Sequence, residues 1–285
     1  MSEKIRSDYW DKTITSDSKL FSLNVKSIWE YRDLVFLLVK RDFITYYKQT
    51  VFGPLWYLVQ PIMSAVMYMI IFGALAKLGT DGIPQFVFYF SGTMLWTYFS
   101  SNLKSVSNTF FQNKDLFGKV FFPRLVAPIA TTIGLLIKFG IQFALFILVY
   151  IFYVVRGMNV NISWVLLLFP FSIVWLSMLS CGIGMVVSAI TTKYRDIAMV
   201  LEFLISLWMY ATPIVYPLSE VPNSLLILAC INPVSAPVEI FRLSFFGVSS
   251  VPLWAILCSL IMTAAVFILG LIMFSKNERT FVDVI

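Results

Sequence analysis

The chain has 285 residues, 59% hydrophobic and 13% charged, with net charge +6 and mean hydropathy +0.86. A water-soluble domain of this length has no interior large enough for so much apolar surface, so the bilayer must act as part of its solvent. Histidine is absent, which removes the commonest general base and nitrogen ligand, and the three cysteines (Cys181, Cys230, Cys258) are scattered through apolar stretches. They read as buried thiols rather than as a metal site or disulfide framework.

Residues 1–26 are polar and mixed in charge and lack an apolar signal core, so they are expected to form a cytoplasmic tail. Residues 27–50 alternate apolar positions with Glu30, Asp33, Lys40, Arg41 and Lys48 near one helical face, interrupted by Leu37 and Ile44. This predicts an amphipathic helix lying in the membrane interface, with a helix packed on its own protein as the alternative. From 51 to 276 long apolar runs are broken by charge and by Pro/Gly clusters, giving spans at about 54–76, 86–103, 125–155, 162–190, 197–215 and 251–274. The first is ~34 Å long as a helix, with Pro54 suited to its first turn and Pro61 predicting a kink. Segment 217–250 has an apolar stretch too short to cross and is interrupted by Pro217, Pro222, Pro233 and Pro237, which predicts re-entrant extracytoplasmic helices between spans five and six or else a plain loop. Residues 277–285 close the chain as a second cytoplasmic tail. The predicted fold is an all-α polytopic membrane protein with six transmembrane helices.

Basic residues choose the orientation. Nine Lys or Arg precede Gln49; Lys104, Lys114, Lys119 and Arg124 follow span two; Lys193 and Arg195 follow span four; Lys276 and Arg279 follow span six. The opposite loops carry Lys77, Arg156 and Arg242. The bias places both termini in the cytoplasm of a multi-pass inner-membrane protein.

Chemistry of its own is hard to find in this chain. Glu202 and Glu239 form no motif, and there is no G-x-x-x-x-G-K-[ST] loop, Gly118-Lys119-Val120 being the nearest fragment. No metal ligands, no catalytic residues and no cofactor are expected in the chain. Lys138 is the one charge deep in a span, and it either faces a polar interior, pairs at a helix contact or snorkels. A lone lysine is a poor ion relay, so any work against a gradient must be powered from outside the chain. The segment Asn113, Lys114, Asp115, Leu116, Phe117, Lys119, Val120, Phe121, Phe122 is short, basic and aromatic. As a cytoplasmic helix it would offer its rings to a groove in a partner, or else seat them among lipid headgroups.

The stretches RDFITYYKQTVFGPLWYLVQP (41–61), KVFFPRLVAP (119–128), KYRDI (193–197), LWMYATPIVYPLSEVP (207–222), INPVSAPVEIFR (231–242) and ERTFVDVI (278–285) resemble the permease subunits of type-2 ABC exporters. The resemblance is strongest to the subgroup that exports O-antigen (lipopolysaccharide) and teichoic-acid polysaccharides, and covers roughly residues 35–285 in order and spacing. It implies a homodimer with two ATPase subunits that bind ATP and Mg, and a cargo glycan carried on undecaprenyl diphosphate. It also implies motor docking by the helix over Asn113–Phe122 and a second contact at Lys193, Tyr194, Arg195 and Asp196. The mouth would be closed by the re-entrant segment, with Pro233, Glu239 and Arg242 as gate candidates. Candidate channel-lining residues are Trp56, Tyr57, Tyr68, Trp96, Tyr98, Lys138, Trp208 and Tyr210, and Arg41 and Lys48 are candidates for the lipid diphosphate. Interfacial anchoring explains the Trp and Tyr positions equally well, and contact with anionic membrane lipid the two cations. Nucleic acid is not an expected partner. Export of a drug or small lipid on the same fold is the alternative. A polyprenyl-linked sugar transferase fits least, for want of an acid/base pair.

Overall fold

The computed structural model describes residues 29–48, 55–117, 122–158, 164–191, 194 and 196–284, and all regular structure among them is helical. In chain order the helices are α1 (Arg32–Lys48), α2 (Trp56–Tyr68, continued by a π-helix over Met69–Leu75), α3 (Gln85–Ser107), α4 (Thr109–Gln112) and α5 (Lys114–Phe117). They are followed by α6 (Val126–Val155), a 3₁₀ segment (Trp164–Leu168), α7 (Phe169–Thr191), α8 (Ile197–Tyr210), α9 (Asn223–Ile231), α10 (Ser235–Phe246) and α11 (Leu253–Val284).

The bundle is built around α3 and α7. Every residue of α3 from Val87 to Trp96 is buried, and α7 packs against it on one side and against α11 on the other. Lipid tails are as apolar as leucine, so helices in a membrane associate through close packing and polar contacts rather than water exclusion. Both devices are present. A Cβ on Gly270 would lie 2.5 Å from the Gly182 carbonyl oxygen, and one on Gly182 would lie 2.8 Å from the Phe267 Cα, so α7 and α11 touch backbone to backbone at that crossing. Asn102 donates to Ser180 Oγ at 2.7 Å and accepts from Thr132 at 3.1 Å, tying α3 to α7 and α6. The Trp175 indole donates to Thr263 at 2.8 Å, and the Tyr98 and Ser177 hydroxyls lie 2.6 Å apart. Where α6 and α10 meet, Phe143, Phe146, Phe241 and Phe245 form a continuous aromatic cluster, with the Phe241 and Phe245 centroids 4.8 Å apart.

Among the described residues, four helices are long and apolar enough to cross a membrane: Trp56–Leu75, Val126–Val155, Val165–Thr191 and Leu253–Lys276. Expected span two is α3, 23 residues long, but Ser, Thr, Asn and Lys along it dilute its apolar character. Expected span five is α8, apolar yet only 14 residues. Segment 217–250 is neither a plain loop nor a single helix, because α9 and α10 meet at a bend of 96° beside Asn232 and Pro233. The expected cytoplasmic tail 277–285 continues α11 as helix through Val284. One expectation is corrected. Cys181 and Cys230 are buried, but Cys258 is exposed on α11. Expectations falling on residues 1–28, 49–54, 118–121, 159–163, 192–193, 195 and 285 lie outside the described residues.

The helix runs on through Pro61, and its departure from α geometry is the π-helix at Met69–Leu75. A proline inside a helix removes the bond to the carbonyl four residues back, here that of Tyr57. In hydrocarbon an orphaned carbonyl is costly. The Gln142 side-chain amide of α6 reaches across and donates to the Tyr57 oxygen at 3.0 Å. Ser259 of α11 likewise donates to the Pro233 carbonyl, in the irregular turn before α10, at 2.7 Å. Replacing Gln142 with Leu should lower unfolding stability by about 1–3 kcal/mol. In a Pro61→Ala background, where the helical bond is restored, the loss should shrink. Thermal unfolding of the two single variants and the double variant measures the coupling, and equal losses in both backgrounds would refute it.

Candidate functional site

Along the second half of α3, Thr97, Ser101, Lys104 and Ser105 recur at helical spacing and share one face. Lys138 and Gln142 lie one turn apart on α6, and Tyr57 and Gln60 open α2. These residues, with Tyr98, Leu135 and Phe139, line one cleft of about 270 Å³ between α2, α3 and α6. The Lys138 Nζ stands 5.0 Å from the centroid of the Tyr57 ring, a cation–π contact that holds the ammonium at the wall of the cleft. Lys104 lies 4.0 Å from Glu202 of α8, both partly exposed. So many donors cannot be left against lipid tails, so the cleft must meet water, cargo or another polar surface.

The opposite end of the bundle, which we call the hairpin end, is fastened by a second polar network. Asn232 accepts from the Trp208 indole and from the Val234 N–H, both at 3.1 Å. It donates to the Ala211 carbonyl at 3.1 Å and to Thr212 at 2.8 Å. One side chain thus satisfies the irregular backbone after α8 and the turn before α10. Arg242, only 2% exposed, pairs with Glu239 at 2.8 Å, donates to the Ile214 carbonyl at 3.2 Å and lies 4.0 Å over the Phe88 ring. Glu239 also accepts from the Ser250 N–H at 3.4 Å. Beneath this network lies an apolar cavity of about 660 Å³ whose lining includes Trp208, Tyr210, Tyr216, Leu225, Leu228 and Met262.

At the end that gathers the basic residues, α1 is laid across the start of α6. Leu38 and Val39 are buried against Phe122, Val126 and Ala130. Trp29, Phe36 (71% exposed) and Leu37 remain outside beside Arg32, Lys40 and Arg41, the mixed surface that suits a membrane interface. The expected single helix over Asn113–Phe122 is replaced, in its described part, by the one-turn helices α4 and α5 hinged at Asn113. Phe122 is 3% exposed and Phe117 packs between Phe110 and Phe122, so these rings anchor the segment to its own chain rather than offering themselves to a groove. The outward residues are Phe111, Gln112 and Lys114. Arg41, expected to stay available for a diphosphate, instead pairs with Asp42 at 2.8 Å and donates to Asn113 at 3.1 Å, joining α1 to this segment. Lys48 belongs to α1, but its side chain lies outside the described set, as do Asp115's side chain, Lys119, Val120, Phe121, Lys193 and Arg195. Tyr194 and Asp196 are exposed.

The expected channel lining therefore divides. Tyr57, Tyr98 and Lys138 meet in the polar cleft, and Trp208 and Tyr210 line the apolar cavity. Trp96 is buried against Phe99, Trp56 is exposed, and the Tyr68 hydroxyl donates to the Met209 sulfur at 3.3 Å. Gln60, Thr97, Ser101, Lys104, Ser105, Gln142 and Asn232 escaped the sequence reading. The helical spacing of the α3 polar residues is the signal that the sequence offers for that part of the cleft. Replacing Asn232 with Leu should leave several buried groups unsatisfied and lower the melting temperature by several degrees, ~2 kcal/mol or more. An unchanged melting temperature would contradict the latch assigned to it.

The ABC-2 type transporter family matches residues 33–246, from α1 through α10. The O-antigen export system permease protein RfbA of Klebsiella pneumoniae is 28% identical over 258 residues, spanning 89% of this chain and 95% of that protein. Its namesake in Myxococcus xanthus is 26% identical over 227 residues, 78% of this chain and 84% of the relative. The inner membrane transport permease YadH of Escherichia coli (strain K12) is 25% identical over 206 residues, 69% and 78%. With apolar spanning helices, a polar cleft between them and a family match that takes in both, the chain belongs to the ABC-2 type transporter family.

Proposed function

We propose that this chain is the membrane subunit of an ATP-driven exporter of a lipid-linked polysaccharide of the O-antigen type. It works as a homodimer of six-span permeases with both termini in the cytoplasm of the inner membrane, above two ATPase subunits that bind ATP and Mg. The observation that carries the reading is the similarity to an O-antigen export permease over 89% of this chain and 95% of the relative. Alongside it stands a cleft whose rings, amides and hydroxyls suit a sugar chain better than an apolar solute. The α9–α10 hairpin closes the outer mouth, and the Asn232 and Arg242 networks hold it shut. Undecaprenyl diphosphate is the carrier in this reading, and teichoic-acid glycan is a variant of the same cargo class. Export of a drug or small lipid has one observation in its favour, the apolar cavity of about 660 Å³ at the hairpin end.

Power enters at the basic end. Phe111, 40% exposed, with Gln112 and Lys114 forms the outward face of α4 and α5, and the exposed Tyr194 and Asp196 offer a second contact. A ring with a charged rim fits a groove in a partner. Because Arg41 ties Asn113 to α1, displacement of this segment is transmitted to the interface helix. Phe111→Asp combined with Lys114→Glu should abolish co-purification with a co-expressed partner ATPase and leave the melting temperature within about 2 °C of wild type. Phe122→Ala should instead lower stability by about 3–5 kcal/mol. Retention of the ATPase by the double variant would refute docking at this face.

A further inference from the structure

We infer that the cleft between α2, α3 and α6 is a phosphate station, in which Lys104 and Lys138 hold a phosphate or diphosphate group while Ser101, Ser105 and Gln60 complete its hydrogen bonds. This deepens the conduit reading proposed above and rests on it. Two cations from different helices line one cavity, and no carboxylate is among its lining residues. A neutral sugar needs hydroxyls, amides and ring faces, whereas a cavity lined by two cations and by no carboxylate suits an anion. A phosphate does. Lysine binds it as a point charge with three rotatable donors, and hydroxyl and amide N–H groups supply the remaining contacts.

Size and position agree with this. At about 270 Å³ the cleft is several times the ~30 Å³ share of one water, room for a phosphate group with part of its hydration shell. Lys104 lies within a turn of the end of α3 at Ser107, and Lys138 lies twelve residues into α6, ~18 Å along its axis. An anion drawn from the headgroup level would therefore meet Lys104 first and Lys138 deeper. Two carboxylates stand nearby. Glu202, largely exposed, lies 4.0 Å from Lys104, a separation at which an exposed pair is weak and readily exchanged for a better anion. Asp42, which acts electrostatically on Lys138, already accepts from Arg41 at 2.9 Å. The expected diphosphate contact at Arg41 is committed to Asp42 and Asn113, so the cleft replaces it.

The full-length chain in nanodiscs of neutral lipid, assayed by equilibrium dialysis, provides the test, with four radiolabelled probes: farnesyl diphosphate, farnesol, inorganic pyrophosphate and a neutral oligosaccharide. Farnesyl diphosphate should bind far more tightly than farnesol and should weaken as salt rises. Lys104→Gln and Lys138→Gln should each weaken it about tenfold, Lys138→Arg should retain most of the binding, and farnesol should not respond to any of them. Pyrophosphate binding as tightly as the prenyl diphosphate supports the station with free phosphate as its source; weaker pyrophosphate binding supports a lipid headgroup. Equal affinity for farnesol and its diphosphate, salt-independent binding by the wild-type chain, or Gln variants that bind like wild type would each overturn the inference. A wild-type chain that binds the oligosaccharide but not the diphosphate overturns it too and leaves the conduit reading standing. Failure of that reading shows separately, as a chain that never associates with an ATPase.

Discussion

A backbone carbonyl inside a bilayer has no water to turn to, and the architecture of this protein follows from where that problem arises. Pro61 releases the Tyr57 carbonyl and Gln142 takes it up. The turn before α10 leaves the Pro233 carbonyl outside the helix and Ser259 takes it up. The irregular turn after α8 exposes the carbonyls of Ala211 and Ile214, which are met by Asn232 and Arg242. Each repair is made by a side chain from another element, so each also fixes a packing: α2 on α6, α10 on α11, the end of α8 on the hairpin. Helices that hydrophobicity alone would let slide are thereby held in register.

The same economy explains what could be read from the residues. The length of α6, the crowding of lysine and arginine at one end, and the broken character of 217–250 follow from composition and proline placement, which are local properties. Partners across the bundle are not. Nothing in the neighbourhood of Gln142 announces that it answers Pro61, 81 residues away in the chain. Nor do the residues around Phe122 tell an anchor for a partner from a plug against Leu38 and Val39. The α3 stripe was legible as a period but looked like a flaw, because an ordinary span carries no row of hydroxyls. It becomes a site only once α2 and α6 bring Gln60 and Lys138 to it.

Two ends with different chemistry result, joined by a wall that is polar part of the way. At the basic end, surface charge and the Arg41–Asn113 bond leave α1 and the α4–α5 segment moving together. At the hairpin end, a buried ion pair and one asparagine hold a bent helix pair closed. A buried pair of this kind adds little net stability, because desolvation offsets attraction, but it specifies one geometry against others. In the proposed exporter, such a latch suits a mouth that stays sealed until force arrives from the far side.

In the proposed exporter, the cleft between α2, α3 and α6 meets water and cargo rather than lipid. Replacing exposed Cys258 by Ala and placing a single cysteine at Ser101 allows this to be read directly with a charged, membrane-impermeant thiol reagent on inverted vesicles. The account predicts rapid labelling at Ser101 that slows when lipid-linked glycan is supplied. Failure of the charged reagent to reach Ser101, while a lipid-soluble maleimide labels it readily, would contradict it.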